Sequence, residues 1–102
     1  GVFRDDLTPA RAQAVIDALG GPAMVTFDLD AVDGAQAPGV SAPAVDGLDA
    51  RLWLGAARQA GRSACVCSMD VAELNPRHDA DGRTARLAAR TVWAFLQGLA
   101  HR

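Results

Sequence analysis

Apolar residues recur at helical spacing in three stretches of the chain and run almost unbroken in two shorter ones. Ala12, Val15, Ile16 and Leu19 fall on one helical face, with Thr8 placed to cap the helix and Pro9 at its first position. Gly20 and Gly21 stop that helix, and Pro22 prevents it from resuming. Ala23 to Phe27 is short, rich in β-formers and bounded by Pro and Asp, which predicts a strand. Ala31 to Ala44 holds Gly34, Pro38, Gly39 and Pro43 and reads as a loop, long for a strand-to-helix connection. Asp46 is the expected cap of the next helix, which would bury Leu48, Leu52, Ala56 and Ala60 and end at Gly61. Ser63 to Met69 reads as a second strand, and its small apolar residues predict burial on both faces. After a loop from Leu74 to Ala80, Asp81 is the expected cap of a last helix. Its apolar stripe would be Ala85, Ala88, Val92, Phe95, Leu96 and Leu99.

The order strand, helix, strand is one βαβ unit, so the fold class is α/β with a parallel pair, the crossover being right-handed in nearly all such units. Two strands are few for a sheet covered on both faces, and the pair would leave open edges. The expectation is a piece of a larger α/β domain. Folding alone as a small unit, or pairing an edge with another copy in a homo-oligomer, are the alternatives.

Composition narrows the function classes. The chain has 102 residues, 50% hydrophobic and 22% charged, with a net charge of −2. That balance gives no electrostatic reason to bind nucleic acid or an anionic membrane. No apolar run approaches the ~20 residues of a membrane span. Gly1 to Leu7 is short and charged and does not resemble a secretory segment, so the expected setting is reducing and cytoplasmic. Cys65 and Cys67 are read as small, reduced, buried residues in preference to a redox or metal pair.

Asp28 and Asp30 stand where the first strand runs out, and a spacing of two turns both carboxylates to one side of an extended backbone. Open parallel sheets bind ligands beyond the carboxyl ends of their strands. Facing carboxylates repel and raise each other's pKa, a conflict that a divalent cation such as Mg²⁺, Ca²⁺ or Mn²⁺ resolves. On spacing alone, Asx turns that shape the loop explain the pair equally well. Glu73, the lone glutamate, follows the second strand, and parallel pairing would bring it to the space above Asp28 and Asp30. A solvated loop carboxylate, or one paired with Arg77, is its alternative. Asp70 reads as a strand-end cap, and His78 and His101 as surface residues.

Two blocks resemble a known family. Phe27-Asp28-Leu29-Asp30-Ala31-Val32-Asp33 followed by Ala37-Pro38-Gly39-Val40 is similar to the ureohydrolase (arginase) signature S-F-D-x-D-x-x-D-P-x-x-A-P-G. Met69-Asp70-Val71-Ala72-Glu73-Leu74-Asn75-Pro76 is similar to the family's later block D-x-x-E-x-N-P, in the same order and at a fitting separation. The resemblance covers most of the chain from Met24 onward. It implies a three-layer α/β/α fold with a mainly parallel sheet, of which residues 1–102 would form the C-terminal part. It also implies a dinuclear Mn²⁺ site with Asp28 bridging both metals and Asp30 completing one. Glu73 would accept hydrogen bonds from the planar amidine or guanidine of a small-molecule substrate. The stretch from Glu73 to Arg90 is most similar to formimidoylglutamases, which implies hydrolysis of formimidoylglutamate to glutamate and formamide in histidine degradation. Agmatinase or another guanidino hydrolase is the runner-up.

This sequence also departs from the pattern. The family's upstream motifs Gly-Gly-Asp-His and Asp-Ala-His-x-Asp are absent, Gly34 stands where Pro is usual, and Thr26 replaces Ser. Two carboxylates cannot complete two metal sites, so this chain alone is expected to be inactive. A non-catalytic α/β module for binding or assembly is the competing hypothesis.

Overall fold

The computed structural model describes residues 8–102 as three α-helices and a two-stranded parallel sheet. The reading of Gly1 to Leu7 lies outside the described residues. The elements are α1 (Pro9–Ala18), β1 (Ala23–Asp28), α2 (Ala50–Arg62), β2 (Val66–Ala72) and α3 (Arg83–Leu99). Single 3-10 turns form at Leu29–Ala31 and Pro76–His78. The expected α/β order, two strands and three helices, is the one found.

Thr8 caps α1 as expected, its Oγ1 accepting the Arg11 amide at 3.1 Å. The cap of α2 is Asp49 and not Asp46: Asp49 accepts the Arg51 amide at 2.8 Å, whereas Asp46 turns the chain with a φ of 57°. The helix starts late because Leu48 is still in a parallel bridge with Val32, which gives the long connection local structure of its own. At α3, Asp81 accepts the Arg83 amide at 3.1 Å as expected, but it shares the helix start with Asp79. Gly82 occupies the cap position without a side chain, and Asp79 accepts the amides of Thr84 (3.0 Å) and Ala85 (2.9 Å). A carboxylate there also sits favourably at the positive end of the helix dipole. Asp81 also pairs with the Arg83 guanidinium at 2.8 Å on the surface.

The second strand runs three residues later than expected, over Val66–Ala72. It is not buried on both faces. Val66 is buried, but Cys67, Ser68 and Asp70 are exposed, so among the described residues one side of the strand lacks cover. Asp70 is therefore a mid-strand residue paired with Thr26 rather than a cap. Cys67 is exposed and Cys65 half-buried, correcting the reading of both as buried; both are free.

The core joins Phe27, Leu29, Val32, Val40, Trp53, Val66 and Phe95. Phe27 and Trp53 meet edge to face with centroids 5.4 Å apart, a geometry that adds about 0.5–1.5 kcal/mol beyond burial. The Trp53 indole N–H donates to Thr91 Oγ1 at 2.8 Å, and that hydroxyl donates on to the Leu87 carbonyl at 2.8 Å, so no polar atom of the pair is stranded.

α2 and α3 cross with their backbones almost touching. A Cβ added at Gly61 would collide with the Phe95 carbonyl, and one at Gly98 with the Arg58 carbonyl. This close crossing rotates α3 away from its expected stripe. Thr84, Thr91, Ala94, Phe95 and Gly98 face inward. Val92, Leu96 and Leu99 are exposed beside Trp93. Leu52 is likewise only half-buried, and Trp53, which the periodicity had not singled out, is the anchor of α2.

Candidate functional site

Parallel register places the two strand ends side by side. Asp28 pairs with Ala72, and Glu73 is the next residue after β2. Beyond β1 the chain tightens into the Leu29–Ala31 turn, which Asp28 starts by accepting the Asp30 amide on its Oδ1 at 3.3 Å. This is the Asx turn expected as one explanation of the spacing. It does not compete with a ligand role, because the same turn carries Asp30 back beside Asp28. Both residues are half-buried, and Glu73 is exposed.

The electrostatics agree with this grouping. Asp30 holds its proton above the ordinary carboxylate value of 3.8, chiefly through its side-chain hydrogen bond with Asp28, then through desolvation and the negative charges of Asp28 and Glu73. Asp30 is thus within electrostatic reach of both Asp28 and Glu73. Glu73 adopts a φ of 76°, which non-glycine residues rarely take and which clusters at functional sites. Nothing in the local sequence signals that backbone state.

Other residues at this end were not assigned roles by sequence reasoning. Asp33, the third aspartate of the first block, binds the connection to itself: Oδ1 accepts the Gly47 amide at 3.0 Å and Oδ2 the Ala35 amide at 3.1 Å. Gly39 donates to the buried Thr84 Oγ1 at 2.8 Å, and a Cβ on Gly39 would lie 2.6 Å from that of Asp79. Here only glycine lets the connection rest on the start of α3. Asn75 joins the loop after β2 to the connection after β1: its amide donates to the Gly39 carbonyl at 2.7 Å and its Nδ2 to Ser41 Oγ at 2.9 Å. The available signal was that Asp33, Gly39 and Asn75 all belong to the two blocks; the partners they would find were not readable.

Asp28 and Asp30 are hard oxygen donors under mutual repulsion, and that fits a divalent cation in kind. The ligand set is incomplete: among the described residues no group of three or more His, Cys, Asp or Glu side chains is arranged to hold a metal ion. His78 and His101 are exposed, as expected of surface residues. An apolar cavity of about 360 Å³ lies elsewhere, between α1, β1 and α2, lined by Ile16, Leu19, Met24, Phe27 and Trp53 among others. Among the described residues no helix is long and apolar enough to cross a membrane.

The fold and this end of it define an α/β protein that gathers acidic residues at the carboxyl ends of parallel strands, where such sheets bind ligands. The model of the arginase family matches residues 3–97, and the chain belongs to that family. A formimidoylglutamase from Aromatoleum aromaticum is 51% identical over 78 residues, covering 76% of this chain and 23% of the relative. One from Staphylococcus aureus is 49% identical over 74 residues, covering 72% and 24%. Among solved structures, the formiminoglutamase of Trypanosoma cruzi with Mn²⁺ superposes with a TM-score of 0.81 at 34% identity, over 90% of this chain and 33% of that one. Proclavaminate amidino hydrolase from Streptomyces clavuligerus gives 0.84 at 32% identity, over 98% and 36%. The two strands and three helices thus form part of an arginase-type three-layer α/β/α fold. The chain spans about a quarter of the length of the curated relatives it matches.

Proposed function

We propose that this chain is the C-terminal part of a ureohydrolase domain whose complete polypeptide hydrolyses formimidoylglutamate to glutamate and formamide with Mn²⁺. The observation that carries the reading is the meeting of Asp28, Asp30 and Glu73 at adjacent strand ends. Relatives named formimidoylglutamase, at 49–51% identity, support the choice of substrate. A cytoplasmic setting and a place in histidine degradation go with that choice.

Asp28 and Asp30 would hold the metal ions, with the remaining ligands coming from polypeptide outside this segment. Asp28 would serve both ions and Asp30 one. When bound, paired divalent cations supply an activated water at neutral pH. Glu73 would accept the N–H groups of the planar amidine, because a carboxylate matches a flat N–C–N cation in both charge and shape. Its two oxygens would orient the central carbon for attack. The partner is thus a small molecule with a cationic amidine group and not nucleic acid or membrane.

The test is metal content beside kinetics in the intact enzyme. Asp28→Asn removes the charge that holds two cations near each other, so at least one Mn²⁺ should be lost and activity with it. Glu73→Gln should keep both ions and lower kcat, because it touches substrate only. Retention of two ions by Asp28→Asn together with their loss from Glu73→Gln would reverse the roles. The isolated 102-residue chain should release neither formamide nor urea. The structural likeness to proclavaminate amidino hydrolase favours a guanidino substrate as the second reading. Release of urea from a guanidine, with no formamide from formimidoylglutamate, would select it.

A further inference from the structure

We propose that Asn75 is a positioning residue for Glu73, fixing where its carboxylate stands over the strand ends; the proposal rests on the reading of Glu73 as the group that accepts the substrate's N–H donors. Glu73 is exposed and holds a left-handed backbone at φ 76°. A residue keeps such a conformation only where its surroundings over-determine it. On its N-terminal side the constraint is the sheet, since Ala72 is still paired with Asp28. On its C-terminal side the first fixed point is Asn75, two residues on.

Asn75 is held by hydrogen bonds on its side chain and backbone, its carbonyl accepting the His78 amide at 3.0 Å. Its Oδ1 accepts the Arg77 amide at 3.1 Å, its Nδ2 donates to Ser41 Oγ at 2.9 Å, and its own amide donates to the Gly39 carbonyl at 2.7 Å. Pro76 adds a further restriction by disfavouring helical backbone at Asn75, which is extended at φ −117° and ψ 103°. Gly39 is in turn seated on α3 through the buried Thr84 hydroxyl. The connection holding Gly39 and Ser41 is the one that leaves Asp28 and Asp30. Asn75 therefore ties the loop carrying Glu73 to the loop carrying the two aspartates, and sets their separation through one side-chain bond and one backbone bond rather than through the sheet alone. A site that works on a planar substrate needs that separation fixed, since a misplacement of about 1 Å can cost about 100-fold in rate.

The experiment is a double-mutant cycle in the intact ureohydrolase polypeptide that carries this segment, with kcat and Mn²⁺ content read together. Asn75→Ala is expected to lower kcat about 100-fold with Mn²⁺ content unchanged. In a Glu73→Gln background it should lower kcat no further, because the group it positions is already disabled. Ser41→Ala removes the same hydrogen bond from the other side and is expected to lower kcat about 5- to 10-fold, again only while Glu73 is present. This milder pair carries the test if Asn75→Ala does not yield folded protein. An equal loss in both backgrounds, or loss of Mn²⁺ from Asn75→Ala, overturns the proposal and leaves the Glu73 reading standing. Undiminished turnover by Glu73→Gln alone overturns that reading, and the proposal with it.

Discussion

The two ends of this molecule are finished to different degrees. At the carboxyl ends of the strands, side chains and backbone close on one another: Asp33 gathers Ala35 and Gly47, Thr84 accepts the Gly39 amide, and Asn75 donates to Ser41. On the outer faces the reverse holds. Val15, Leu19 and Met24 are 47–69% exposed around the apolar cavity, and Val92, Trp93, Leu96 and Leu99 form an exposed stripe on α3. Polar loop geometry can be satisfied where loops of one segment meet, whereas an apolar face needs another layer of protein. The architecture of the site end is thus local to this segment. Its helices and sheet carry the surface expected of a portion of a larger domain.

The two tryptophans put the sharpest number on that contrast. Trp53 is 4% exposed, packed edge to face with Phe27 and bonded to Thr91, so Trp53→Ala should cost about 3–5 kcal/mol. Trp93 is 53% exposed, and Trp93→Ala should change the stability of this chain by no more than about 0.5 kcal/mol. Urea denaturation of both variants measures the difference. Equal costs would mean that the α3 face is packed after all, and the contrast between ends would lose its main support.

Next in size is the helix crossing. Gly98 lies inside α3, where Ala would normally gain about 1 kcal/mol in helix propensity. Here a Cβ runs into the Arg58 carbonyl, so Gly98→Ala should instead destabilise by about 1–3 kcal/mol. Gly55 is a control in α2: its added Cβ meets nothing nearer than the Pro9 Cγ at 3.6 Å. A stabilised Gly98→Ala, by thermal unfolding, would mean that the helices separate freely.

The same contrast explains what could be read from the sequence. Element order, α1 with its Thr8 cap, β1 and the parallel pairing were legible, because caps, breakers and periodicity are local signals. Asp28, Asp30 and Glu73 were legible as a group, since two short blocks mark them and parallel pairing brings their strand ends together. Tertiary choices were not. The face that α3 buries is decided by Gly61 and Gly98, which admit a backbone where periodicity sees only missing side chains. The cap at Asp49 won over Asp46 because a loop bridge sets where α2 begins, and Asp79 joins Asp81 at the start of α3 across the Gly82 turn. The backbone of Glu73 and the partners of Asn75 depend on loops meeting across the fold. Their residues were visible in the two blocks, but their geometry was not.

The smallest effect tests whether the site end is held by charge or by shape. Asp79 is drawn upward by partial desolvation, but the amides of Thr84 and Ala85 and the Thr84 hydroxyl outweigh this and set its pKa below 3.8. A carboxyl whose folded pKa lies below its unfolded one contributes stability that is complete above the unfolded value. That stability is lost as pH falls through the folded one. Asp79→Asn keeps an acceptor oxygen and removes the charge. The variant should therefore be less stable than the parent at neutral pH, and the gap should close as pH falls below 3.8. Solvent reaches this carboxylate, so the gap should be smaller than the effect at Gly98. The measurement is the urea midpoint of both proteins across that range. A gap that stays constant with pH would mean that the charge of Asp79 contributes nothing. The loop would then be held by the fit of Gly39 against Asp79 and Thr84 alone.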